Sequence, residues 1–146
     1  MLSIVKGRDY IGYCGIKNTA QPIWEIAIEL LPEWTKHGIG FLALTAMLDE
    51  MKSRLGVSKY IVRIEPTNMA SQKLFEKLGA RPSGIVDLWF NEQTTLEKCE
   101  EAGLHLIDDH MIEVAKKFNV EPRKLLSHVL EYELLWSGKE VTNGSI

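Results

Sequence analysis

The run Gly38-Ile39-Gly40-Phe41-Leu42-Ala43 fits the spacing G-x-G-x-x-A. Glycines so placed let backbone N–H groups approach a pyrophosphate at the N-terminus of a following helix. Glu65, closing the next expected strand, stands where a dinucleotide site keeps its ribose-binding acid. That chemistry has a weak point: a dinucleotide loop follows its strand almost directly, whereas residues 32–37 intervene here. A loop of this length either wraps a pyrophosphate with several successive N–H groups or simply makes a tight turn. Just upstream, the apolar run 23–31 carries two acids, Glu25 and Glu29. Strand side chains alternate, so both face away from Trp24, Ile26, Ile28 and Leu30. A carboxylate on a largely buried strand has its pKa raised, which suits a general base; exposure at the strand end or a lysine partner is the plainer reading. His105, Asp108, Asp109, His110 and Glu113 match no zinc spacing and are read as a helix cap with exposed charges, so no metal is expected.

Ordinary elements must hold these residues. Residues 2–6 and 10–17 form an expected hairpin about Gly7-Arg8-Asp9. The 23–31 run suits a strand buried on both faces. From Phe41 the period turns helical, with Phe41, Leu44, Leu48, Met51 and Leu55 as the buried stripe and Gly56 as the stop. Residues 59–65 are the next strand. Asn68 or Thr67 then caps a helix whose buried stripe is Ala70, Leu74 and Leu78, ended by Gly79. Strand, helix and strand over 23–65 predict a parallel pair. Residues 83–90 are a strand, 92–102 a helix, and Asp108 or Asp109 caps a helix to Phe118 with Met111, Val114, Ala115 and Phe118 as its docking face. A short helix from Pro122 to Leu126 and a last strand over 128–136 follow, with 138–146 expected to fray. The tryptophans Trp34, Trp89 and Trp136 can line a pocket, but packing is the ordinary role.

Two segments together carry a family resemblance. Asn68, Ser71, Phe75, Glu76, Lys77 and Gly79 follow N-x-x-S-x-x-x-x-E-K-x-G, and Leu30, Pro32, Thr35, Gly38 and Gly40 follow V-x-P-x-x-R/Q-x-x-G-x-G/A. In this order and spacing the chain resembles the GNAT acetyltransferases over residues 2–91 and 128–136. The 68–77 pattern leans toward the ribosomal-protein-alanine acetyltransferase branch, which lacks the tyrosine that other members carry at the position of Phe75. Thr35 stands where the family has Arg or Gln, and Ala80 where it has Phe; Lys36 and His37 can supply the positive charge instead.

The resemblance implies an α/β (α+β) GNAT-like fold: a mixed sheet with a central parallel pair, flanking helices, and a helical insertion over 92–127 before the last strand. It implies one domain over 1–146. It also implies an acetyl-CoA-dependent N-acetyltransferase acting on an amine of a small molecule or a protein N-terminus by direct attack on the thioester. Leu30, Leu31, Thr35, Lys36, His37, Gly38, Ile39, Gly40, Asn68, Ser71 and Phe75 would hold the acyl donor. Glu25, Glu29, Asn68 and the backbone N–H near Leu30, as an oxyanion donor, would serve the reaction. In the family a strand and two helices precede the hairpin and shape the acceptor site. Their counterpart is missing from this sequence, so the insertion or a second subunit in a homodimer is expected to cover that sheet face. A degenerate CoA-binding or interaction module is the competing expectation.

Composition agrees with an ordinary globular domain. The 146 residues are 45% hydrophobic and 25% charged, and 17 basic against 20 acidic residues leave a net charge of −3. A nucleic-acid partner is therefore not indicated. With no apolar run of membrane-span length and no signal-peptide pattern, neither a membrane partner nor export is expected. Cys14 and Cys99 stand apart, and a reduced, cytoplasmic protein is expected.

Overall fold

A computed structural model describes residues 1–34, 38–87 and 92–138. Strands β1 (Leu2–Lys6), β2 (Asp9–Asn18) and β3 (Trp24–Leu30) form an antiparallel meander. A 3-10 turn, Pro32–Trp34, follows, and then α1 (Ile39–Leu55), β4 (Lys59–Ile64) and α2 (Met69–Lys77). Next come β5 (Arg81–Asp87), α3 (Gln93–Gly103), α4 (Asp109–Phe118), a 3-10 turn at Pro122–Leu126, and β6 (His128–Leu135). The six strands run in the order β1-β2-β3-β4-β6-β5, with β3 and β4 parallel. This is the mixed sheet, central parallel pair and pre-terminal helical segment anticipated above.

The chain divides into two compact units. One holds Met1–Val62, Ala70–Arg81 and the chain from Glu133 on; the other holds Arg63–Met69 and Pro82–Tyr132. In the first unit, α1 buries Gly40, Leu44, Met47 and Leu48. The expected stripe is thus rotated. Leu55 is 59% exposed, and Phe41 is half-buried with the Lys77 ammonium 4.6 Å from its ring centre. The reason is that Gly40 opens a face with no Cβ, so helix and strand meet there instead of one residue later. Likewise α2 turns Gln72 and Phe75 inward, with Leu78 buried just past its end and Ala70 exposed. A buried glutamine is invisible to a reading based on apolar spacing. The first unit is closed by Trp136, whose indole N–H donates to Asp49 Oδ1 at 2.9 Å and whose backbone N–H donates to Ser58 O at 2.7 Å.

The second unit is built on α4. Asp108 caps it by accepting from the Met111 N–H at 2.9 Å, and Met111, Val114, Ala115 and Phe118 are buried as expected. Phe118 meets Tyr132 edge to face, with ring centres 5.2 Å apart. Along β6 the buried side chains are Leu130, Tyr132 and Leu134, and Val129 is half-buried. β5 starts at Arg81 and takes in Pro82. Trp89 and the remainder of the expected 83–90 strand lie partly outside the described residues, as does the 138–146 tail beyond Gly138. Among the described residues no helix is long and apolar enough to cross a membrane.

Candidate active site

The glycine turn sits at the start of α1. Gly38 adopts a left-handed conformation, φ +75°, that L side chains avoid, and nothing lies within 4 Å of where its Cβ would be. Gly40 is needed for a different reason. A Cβ there would stand 3.2 Å from Leu74 Cδ2 and 3.5 Å from Ile28 Cδ1 and Leu30 Cδ1. Gly38 therefore shapes the turn, and Gly40 seats the helix against β3 and α2. The N-cap residue of α1 is Gly38, which offers no capping side chain, and the first turn of the helix carries no acid. The first-turn N–H groups and the positive end of a helix dipole suit an anionic group. Thr35, Lys36 and His37 lie outside the described residues. Ile39 is half-buried at the head of the helix.

β3 carries the two acids into different surroundings. Glu25 is 5% exposed, with Oε2 3.6 Å from Lys17 Nζ. Glu29 is exposed, and its Oε2 accepts the Tyr13 hydroxyl at 2.8 Å. That hydrogen bond, reinforced by the Glu29 charge, pushes the Tyr13 phenol above its usual value. Parallel register between β3 and β4 runs through Trp24↔Tyr60 and Glu25↔Ile61. Antiparallel register with β2 continues to Gly12↔Leu30. Leu30 is half-buried; Leu31 is 37% exposed, and its N–H is engaged with Ile11 O at 2.7 Å.

The remaining expected residues lie around α2. Asn68 is exposed one position before the helix, in a turn where its N–H donates to Glu65 O at 2.9 Å. Ser71 is half-buried in the first turn. Phe75 is buried, at 1% exposed. Trp34 is half-buried, with Lys6 Nζ 5.7 Å from its ring centre.

Two arrangements have no counterpart in the sequence reading. The first is the Tyr13–Glu29 pair, which only the β2–β3 register sets opposite each other. The second is a buried polar network in the other unit. Glu100, 1% exposed, accepts from Arg123 Nε at 2.8 Å and from Ser127 Oγ at 2.7 Å, with Lys124 Nζ 3.7 Å away. Ser127 Oγ is also 2.8 Å from His128 Nδ1, and His128 Nε2 is 2.9 Å from Asp87 Oδ1. Burial pulls the Glu100 carboxyl upward, but the bonds from Ser127 and Arg123 and the nearby positive charges outweigh it and hold its pKa below the ordinary carboxylate value. No spacing signal links residues so far apart in the chain. An open cleft beside this network is lined by Glu97, Lys98, Glu101, Glu121 and Arg123 among others, and none of the residues expected for acyl transfer lines it.

The sequence model of the acetyltransferase (GNAT) domain matches residues 1–81. The chain belongs to the GNAT acetyltransferase family. Solved structures share the GNAT fold at low identity. Ribosomal-protein-S5-alanine acetyltransferase from Vibrio fischeri is 14% identical, with a TM-score of 0.57 over 88% of this chain and 55% of that one. A spermidine N-acetyltransferase (SpeG) mutant from Vibrio cholerae is 15% identical, with a TM-score of 0.60 over 99% of this chain and 68% of that one. Mycobacterium smegmatis RimJ, in complex with CoA-disulfide, is 14% identical, with a TM-score of 0.55 over 87% of this chain and 48% of that one. The chain thus spans about half to two thirds of the length of these GNAT proteins. No curated protein matches the sequence.

Proposed function

We propose that this protein is an acetyl-CoA-dependent N-acetyltransferase that acetylates an amine of a small molecule or a protein N-terminus. The observation that carries this reading is the GNAT domain match over residues 1–81, which spans β3, the glycine turn and α1 together. Acetyl-CoA is the acyl-donor substrate. Its pyrophosphate suits the N-terminus of α1, whose first turn carries no acid, and the left-handed turn at Gly38. Ile39 and Ser71 would border the donor. Leu30 and Leu31 would flank the pantetheine arm along β3, with a backbone N–H near Leu30 facing the thioester oxygen as it gains charge.

The chemistry asks little beyond positioning. An ammonium acceptor must lose a proton before attack, and a carboxylate of β3, Glu25 or Glu29, takes it. The neutral amine adds to the thioester carbonyl, and the intermediate then expels the CoA thiolate while its nitrogen gives up its extra proton to solvent. A thiol ionises near pH 8.5, so that thiolate leaves without a proton donor, and Phe75 need not act as an acid.

The acceptor class is an amine, in line with relatives named for spermidine and for a ribosomal-protein alanine. The test is an acceptor screen with acetyl-CoA, including spermidine and a peptide with N-terminal alanine, read by thiol release and by mass of the acetylated product. Acetylation of at least one amine is expected. Binding of acetyl-CoA with no product from any amine would leave a CoA-binding module, and failure to bind acetyl-CoA would overturn both readings.

A further inference from the structure

β3 offers two carboxylates, and their surroundings differ in a way that bears on which one handles a proton. Glu25 is shut away from water, with the Lys17 ammonium 3.6 Å from its Oε2. That carboxylate already has a charged partner, although the Lys17 side chain is itself 63% exposed. Glu29 is exposed, and Tyr13, its direct cross-strand partner, donates to Oε2 at 2.8 Å. Cross-strand partners project from the same face of a sheet, so hydroxyl and carboxylate stand side by side there. Ala27 and Gly15 form the next cross-strand pair on that face, and neither carries a side chain longer than a methyl. Met1 packs over Gly15, its Sδ 2.5 Å from where a Cβ would stand, so an ammonium group reaches the exposed Glu29 from solvent and not along the strand.

We propose that Tyr13 is a positioning residue for Glu29, the carboxylate that takes the proton from a cationic amine acceptor. This rests on the acetyltransferase reading above. The phenol holds Oε2 and turns Oε1 toward the acceptor. The ammonium R–NH3⁺ gives a proton to Oε1, leaving R–NH2 with its lone pair and Glu29 as the neutral acid. The amine then forms the C–N bond as the C–S bond breaks, CoA leaves as the thiolate, the extra proton on the new amide nitrogen passes to solvent, and the Glu29 proton follows it. The bond from Tyr13 also raises the phenol's own pKa, so the hydroxyl stays a donor throughout the neutral range.

The experiment compares the wild-type protein with Tyr13→Phe, Glu29→Gln and the double variant. Each is assayed with a cationic primary amine from the acceptor screen and with an arylhydrazine, whose aromatic ring lowers the basicity so that it is largely neutral near neutral pH. With the cationic amine, Glu29→Gln lowers kcat about a hundredfold. Tyr13→Phe lowers it about three- to tenfold, with the KM for acetyl-CoA unmoved. Both losses are smaller with the hydrazine. In the double variant, the tyrosine change adds nothing to the glutamine change, because it acts only through that carboxylate. Additive losses, or equal losses with both acceptors, would overturn the proposal. So would full activity of Tyr13→Phe and Glu29→Gln on a cationic amine. A wild-type protein that acetylates no amine, the hydrazine included, overturns the acetyltransferase reading instead, and the two failures are distinct.

Discussion

Ser127 donates its hydroxyl proton to Glu100 at 2.7 Å, and both side chains are closed to water. The Ser127 oxygen in turn lies 2.8 Å from His128 Nδ1, so one hydroxyl joins a buried acid to an imidazole. A buried carboxylate is stable only while all its partners remain, since each one offsets part of the cost of taking its charge out of water.

Glu100→Ala leaves Arg123 and Lys124 without their buried acceptor. Both are 35% exposed at the side chain and can turn to water, which moderates the loss. A destabilisation of about 2–3 kcal/mol is expected, below the usual range for breaking a fully buried pair. Urea unfolding followed by circular dichroism measures it.

The same carboxylate sets an acid limit. Its pKa is lower in the folded chain than in the unfolded one, so the unfolded state takes up the proton first. Its stabilising contribution is full above the ordinary glutamate value of about 4.3 and is lost as the pH falls from there through the lower folded value. Glu100→Gln, which cannot titrate, should lose less Tm than the wild type when both are scanned down through that window.

The two glycines of the turn should fail differently. Gly38→Ala puts a Cβ on a left-handed residue and costs about 1–2 kcal/mol, with space around it otherwise open. Gly40→Val forces a branched side chain against Leu74, Ile28 and Leu30 and costs about 1–3 kcal/mol or more. Thermal melts of both variants, with and without acetyl-CoA, separate a turn defect from a packing defect: Gly40→Val should lower the apo Tm more.

Removal of the α4 cap by Asp108→Ala frees the Met111 N–H and should cost about 1 kcal/mol. Since this helix supplies four buried side chains to its unit, the loss should appear in global unfolding as a shift in denaturant midpoint with an unchanged slope.

Acetyl-CoA at about a hundred times its Kd should stabilise the fold by about 2.7 kcal/mol. For a chain of this size that amounts to a Tm rise of several degrees in differential scanning fluorimetry. Absence of any rise at millimolar acetyl-CoA would contradict the donor assigned to the α1 N-terminus.

Between the two acids of β3, Glu29→Gln should lower turnover of a cationic amine more than Glu25→Gln. Glu25 has the Lys17 ammonium beside it, whereas Glu29 is exposed on the same strand face as Tyr13. Parallel kcat measurements with one acceptor decide the order.

Much of this protein was legible in its sequence because the signals are local. The apolar run around Trp24–Leu30, the shift to helical period after Gly38, and the glycine at 56 mark strand, helix and stop without reference to anything distant. The glycine turn and the Asn68–Gly79 pattern were enough to point to the family whose domain matches residues 1–81. The helix faces were read less well. Apolar spacing put Leu55 and Ala70 inside, whereas the folded chain turns Gly40, Met47 and Gln72 inward, since a glycine gap and a buried amide leave no hydrophobic trace. Which acid is buried and which is exposed was beyond the sequence altogether. Glu25 and Glu29 share a strand and a face, and only the partner strand, its register and the reach of Lys17 and Tyr13 tell them apart. The same holds for Glu100, Arg123 and Ser127. Composition sets what each side chain can do, but the pairing of groups far apart in the chain is decided by the packing that brings them within hydrogen-bond distance.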